Sequence, residues 1–121
     1  MRKAGILMPI TSLPSPYGIG TMGEAAREFV RFLHKAGQSY WQILPICPTS
    51  YGDSPYQSFS SYAGNPYMID LDELSEAGLL EKDEYKNIDW GSNPEKADYG
   101  LLYNRRFGVL RKAAKTAEEK Y

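Results

Sequence analysis

Cysteine is nearly absent from the 121 residues: Cys47 stands alone, so no internal disulfide can form. It also lacks a second thiol or a neighbouring histidine, which argues against a metal site or a thiolate nucleophile. Histidine is equally scarce; His34, the single one, falls near the end of a predicted helix and receives no chemical role. No apolar run is long enough to cross a bilayer as a helix, so a membrane role is not expected. Neither sign of charge prevails. With 14 basic and 15 acidic residues and a formal charge of −1, no basic surface invites a phosphate backbone, and nucleic acid is not expected as a partner. The amino terminus, Met1-Arg2-Lys3-Ala4, has neither the apolar stretch nor the small-residue cleavage site of a signal peptide, so a cytoplasmic location is expected.

What is present is ordinary in most respects. The length suits one domain with a modest core, and 42% apolar residues is usual for a globular protein. Tyrosine is the exception. Ten are present, and Tyr51, Tyr56, Tyr62 and Tyr67 crowd into one short polar stretch.

Residues 5–10 read as a strand of continuous apolar character, as parallel strands covered on both faces tend to be. Pro14, Pro16 and Gly18 then interrupt regular structure. A helix is predicted to begin near Thr21, which has capping-box spacing to Glu24, and to bury Ala25, Phe29 and Leu33 with Ala26 and Val30. Gly37 can end it in the left-handed conformation. Residues 39–44 form a second strand, so strand, helix and strand make a parallel βαβ unit with an expected right-handed crossover. A long loop rich in Pro, Gly, Ser and Tyr runs over residues 45–66, followed by an extended segment at 67–70. A short helix over 71–80 is expected with Asp70 or Asp72 as cap. Residues 81–96 read as polar and irregular. A last amphipathic helix starts near Asp98, with Tyr103, Phe107, Leu110, Ala114 and Ala117 on one face.

Gly18, Gly20 and Gly23 spell G-x-G-x-x-G before a helix, the pattern of a dinucleotide-binding turn. Two features oppose that reading. A proline-rich loop separates the first glycine from the strand, and the acidic residue expected about 20 positions on is replaced by Trp41, Gln42, Ile43 and Leu44.

The stretch at residues 48–67, PTSYGDSPYQSFSSYAGNPY, is more specific. Sugars present C–H patches on one face and hydroxyls around the rim. A tyrosine stacks on the patch while Ser, Asp, Asn and Gln exchange hydrogen bonds with the rim, so this loop suits carbohydrate. Tyrosine and serine in loops also make protein-binding surfaces. Asp53 in its Gly-Asp-Ser-Pro turn and Asn65 before Pro66 read as loop-shaping residues, and Trp41 as a packing residue.

Two segments, PITSLPSPYGIGTMG and GQSYWQILPICPTSYGDSPYQSFSSYAGNPYMIDLDEL, resemble the amino-terminal signature regions of glycoside hydrolase family 77, the amylomaltases or disproportionating enzymes. The resemblance covers residues 5–80 and is looser beyond. It implies an α/β fold, the amino-terminal portion of a (β/α)₈ barrel: the first βαβ unit plus the start of an inserted helical subdomain. Residues 1–70 are then the first strands and helix of the barrel with a substrate-binding loop, and residues 71–121 a truncated helical insertion. In such barrels the loops at the carboxyl ends of the strands build the active site.

The activity implied is 4-α-glucanotransfer between maltooligosaccharide or starch chains by a retaining double displacement, with no metal or organic cofactor. By resemblance Tyr56 packs beside the sugar on the donor side of the scissile bond and Ser54 hydrogen-bonds a neighbouring glucose. Tyr51 matches a second glucan site away from the catalytic centre, and Tyr99 or Tyr103 is a candidate to join it. The family's nucleophile, acid/base and stabilising carboxylates come from later strands, so no catalytic residue is assigned here. Asp70, Asp72 and Glu73 lie at a helix start, where negative charge is favourable without catalysis. The expected partners are α-1,4-glucans and the remainder of the barrel. The rival reading is a non-catalytic glucan-binding or interaction module.

Overall fold

The computed structural model describes residues 2–48, 60, 62–91 and 96–121. It divides into two compact units, Met1–Ser15 with Ile19–Ile69, and Pro16–Gly18 with Asp70–Tyr121. The chain thus leaves the first unit after Ser15 for three residues and returns at Ile19.

In the first unit, β1 (Gly5–Leu7) pairs in parallel with β2 (Tyr40–Gln42), with Ile6 opposite Trp41. The helix between them, α1 (Glu24–Lys35), completes the predicted βαβ unit. Both strands are shorter than predicted. The chain turns into a 3₁₀ segment at Ile10–Ser12, where Leu13 N donates to Ile10 O at 3.1 Å. Cover on both sheet faces, expected from the apolar runs, is not seen: Ile6 and Trp41 are half-buried while Leu7 and Tyr40 on the opposite face are 56% and 59% exposed. A single helix can cover only one face of a two-stranded sheet.

The capping box at Thr21 is not formed. Helix α1 starts at Glu24 behind Gly23, with no side-chain cap. The Glu24 carboxylate instead accepts from Arg31 Nη1 at 2.9 Å and Arg27 Nη1 at 3.4 Å, which lowers its pKa, chiefly through the Arg31 hydrogen bond. Thr21 is buried. Leu33 is buried as predicted, but Val30 is exposed. Gly37, at φ +73°, ends the helix as its position suggested. The buried residues of this unit include Ile10, Leu13, Ile19, Leu33 and Tyr67.

In the second unit, α2 (Leu71–Glu76) is capped by Asp70, whose carboxylate accepts from Glu73 N at 2.9 Å, and α3 (Tyr99–Lys120) by Asp98, which accepts from Leu101 N at 3.2 Å. The predicted inner face of α3 is displaced by one residue. Leu102, Arg106, Val109 and Ala113 are buried, and Tyr103 is 67% exposed. An arginine at the centre of the buried stripe hides it from an apolar pattern. The segment read as polar and irregular contributes Tyr85 and Trp90 to the core beside Tyr17, Leu71 and Leu80.

Candidate functional site

Parallel strands end at the same edge of a sheet, so the loops after β1 and β2 leave the first unit side by side. Backbone hydrogen bonds fix the base of each. Gly20 N donates to Thr11 O at 3.0 Å across the first loop, and Asn65 N donates to Ile46 O at 2.8 Å across the second. Met22 N donates to Met68 O at 2.9 Å, joining the exit of the first loop to the end of the second.

Tyr51, Asp53, Ser54 and Tyr56 lie outside the described residues. The two remaining tyrosines of the cluster have opposite settings. Tyr62 is wholly exposed, in a turn where the Ser60 hydroxyl accepts from Tyr62 N and Ala63 N at 3.4 and 3.3 Å. Tyr67 is buried in a 3₁₀ turn at Pro66–Met68, where extended chain was expected. Asn65 starts that turn by accepting from Tyr67 N at 2.9 Å, which is the loop-shaping role read from its place before proline. Trp41 packs its ring edge-on to Phe29, with centroids 4.9 Å apart, and its Nε1 donates to Met8 O at 2.8 Å. It is a packing residue.

The glycines of the G-x-G-x-x-G pattern have local reasons. Gly18 has φ +86°, and a Cβ there would lie 2.7 Å from Trp90 O. A Cβ at Gly20 would lie 2.2 Å from Ile10 O. Gly23 is the residue before α1. Turn geometry and close approach explain the first two without a nucleotide.

The second unit holds a polar cluster that sequence reasoning missed. Tyr17 and Tyr85 donate to the same oxygen, Asp72 Oδ1, at 2.8 and 2.7 Å, and their rings meet edge to face at 5.1 Å. Arg106, fully buried, donates from Nη1 to Tyr17 O at 3.4 Å. Trp90 Nε1 donates to Tyr85 O at 2.9 Å. Burial, then the Asp72 hydrogen bond, raises the pKa of both hydroxyls, because a phenolate would lose water and face a carboxylate. Nothing local announces this cluster: Tyr17 and Asp72 are 55 positions apart. Among the described residues no group of three or more His, Cys, Asp or Glu side chains could hold a metal ion, and no helix is long and apolar enough to cross a membrane.

A sequence model described as 4-alpha-glucanotransferase matches residues 8–121. The chain belongs to the 4-alpha-glucanotransferase family. A 4-alpha-glucanotransferase of Clostridium butyricum is 62% identical over 106 residues, covering 88% of this chain and 22% of that enzyme. One of Thermus thermophilus is 50% identical over 119 residues, covering 98% of this chain and 23% of the relative. Among solved structures, an amylomaltase from Streptococcus agalactiae in complex with acarbose superposes with a TM-score of 0.93 at 52% identity, covering 96% of this chain and 23% of that one. The chain therefore spans less than a quarter of the length of these family members.

Proposed function

We propose that this chain is the amino-terminal part of a 4-α-glucanotransferase that moves α-1,4-glucan segments between maltooligosaccharide or starch chains by a retaining double displacement. The observation that carries the reading is the family match over residues 8–121, in a chain that spans only 22–23% of its relatives. Residues 1–70 supply the first strands and helix of a (β/α)₈ barrel with a substrate-binding loop, and residues 71–121 begin a helical insertion. Leu7 and Tyr40, bare on one sheet face, suit strands whose second cover comes from elsewhere in a barrel.

Within that enzyme the loop after β2 binds sugar and performs no chemistry. Tyr56 packs against glucose on the donor side, Ser54 hydrogen-bonds the neighbouring unit, and Tyr51 serves a second glucan site. The nucleophilic and acid/base carboxylates belong to later strands. The acceptor is the 4-hydroxyl of another glucan in place of water, the protein works in the cytoplasm, and its partners are α-1,4-glucans and the rest of its own barrel.

Kinetics of the chain joined to its natural continuation test the assignment. Tyr56→Ala is expected to slow transfer between maltotriose molecules severely, and Tyr51→Ala to act mainly on long glucans. If both variants match the parent on maltotriose and on amylose, the loop assignment is wrong.

A further inference from the structure

Asn65 joins three separate pieces of the first unit. Its amide donates to Ile46 O at 2.8 Å, which brings the two ends of the loop after β2 together. Its side chain accepts from Tyr67 N at 2.9 Å and its carbonyl from Met68 N at 3.1 Å, which fixes the 3₁₀ turn at Pro66–Met68 and carries the Tyr67 ring into the core. Met68 O accepts in turn from Met22 N at 2.9 Å, at the exit of the loop after β1. Asn65 itself is buried, where a polar side chain has to keep its hydrogen bond. Pro66 restricts the residue before it to extended backbone, and Asn65 has φ −78° and ψ 117°. The turn is thus set by the proline ring and by the asparagine side chain together.

Closing the base of a loop has a meaning for binding. With the ends held, less backbone freedom remains to be lost when a ligand engages the residues between them, so affinity rises without a new contact. We propose that Asn65 is a positioning residue for glucan transfer: by turning the chain into Pro66–Met68 it holds the ends of the loop after β2 together and lowers the cost of ordering that loop around sugar. The proposal rests on the transferase reading above, which gives the loop its glucose contact at Tyr56. Asn65 touches no sugar in this scheme. Every bond it uses lies within the first unit.

The test uses the chain joined to its natural continuation, with maltotriose as donor and acceptor and thermal midpoints recorded alongside. Asn65→Ala removes the acceptor for Tyr67 N. Asn65→Gly removes it as well, but glycine is better tolerated than alanine at such a turn start, so this variant remains informative if the alanine variant does not fold. Asn65→Asp keeps an oxygen that can accept the same bond. The alanine and glycine changes are then repeated in a Tyr56→Ala background.

Read well below every thermal midpoint, kcat/KM is expected to fall about tenfold for Asn65→Ala and Asn65→Gly. Most of the loss should lie in KM, because the cost of ordering the loop falls on ground and transition states alike. Asn65→Asp should stay within about threefold of the parent. With Tyr56 already removed, the alanine and glycine changes should cost about twofold or less in kcat/KM while lowering the thermal midpoint as before. Equal kinetic losses with and without Tyr56, or parent-like kinetics with only a lowered thermal midpoint, would overturn the proposal and leave Asn65 a purely structural residue. Parent-like kinetics in Tyr56→Ala alone would instead remove the loop assignment of the transferase reading, and this proposal with it.

Discussion

The hydroxyl of Tyr17 donates to Asp72 Oδ1 at 2.8 Å across 55 positions of sequence, and Tyr85 reaches the same atom at 2.7 Å. A hydrogen bond to a charged acceptor contributes more than a neutral one, and Tyr85 is fully buried. Tyr85→Phe, which removes the donor and keeps the ring, should therefore cost about 1 to 2 kcal/mol of stability. Denaturant unfolding of the parent and variant checks this; equal midpoints would mean that the bond contributes nothing net.

The same cluster sets a pH dependence. Both tyrosines have folded pKa values raised above their ordinary 10.0. Below the unfolded value the contribution is fully present. As pH rises past it, the unfolded tyrosines release protons that the folded ones keep, so stability declines. Thermal midpoints measured between about pH 9 and about pH 11 should fall more steeply for the parent than for the Tyr17→Phe, Tyr85→Phe double variant. Parallel curves would contradict the raised pKa values.

Gly18 and Gly64 should respond differently to alanine. At Gly18 the new Cβ meets Trp90 O at 2.7 Å in a backbone at φ +86°, whereas at Gly64 it meets nothing within 4 Å. Gly18→Ala is expected to cost about 2 to 4 kcal/mol and Gly64→Ala about 0.5 kcal/mol or less. Melting curves of the two variants decide it.

Features set by neighbouring residues were legible in the sequence, and features set across the fold were not. Asp98 and Asp70 sit where a helix needs an acceptor for free backbone amides, and Gly37 where it needs a left-handed residue, so each could be placed from local chemistry. Thr21 and Glu24 had the right spacing for a box, yet Arg27 and Arg31 one and two turns along offered Glu24 better partners. The inner stripe of α3 was read one residue late because Arg106 occupies its centre, and one partner of that buried arginine, the Tyr17 carbonyl, lies 89 positions away. Asp72 was assigned to the helix start in general terms; its partners lie 13 and 55 positions away. The residue types of the loop at 48–67 suit carbohydrate and protein surfaces alike, and its residues 49–59 lie outside the described residues. Tyr67 nevertheless proved to be a core residue, because Asn65 turns the chain and carries its ring inward.

Phe32 and Val30 test the barrel directly. They are 55% and 52% exposed in this chain. If a barrel's later elements cover them, Phe32→Ala should cost about 3 kcal/mol or more in the chain joined to its continuation. In the chain alone the same change should leave folding unaffected and reduce aggregation. Equal, small effects in both settings would place this face of α1 at a free surface.

The most direct measurement is maltotriose conversion by the 121-residue chain alone and by the chain joined to its natural continuation, followed as the appearance of glucose and longer maltooligosaccharides. The extended protein is expected to produce both, and the chain alone neither, because the proposed function gives this chain a substrate-binding loop and assigns the carboxylates that break and remake the glycosidic bond to later strands. Turnover by the chain alone would contradict the account.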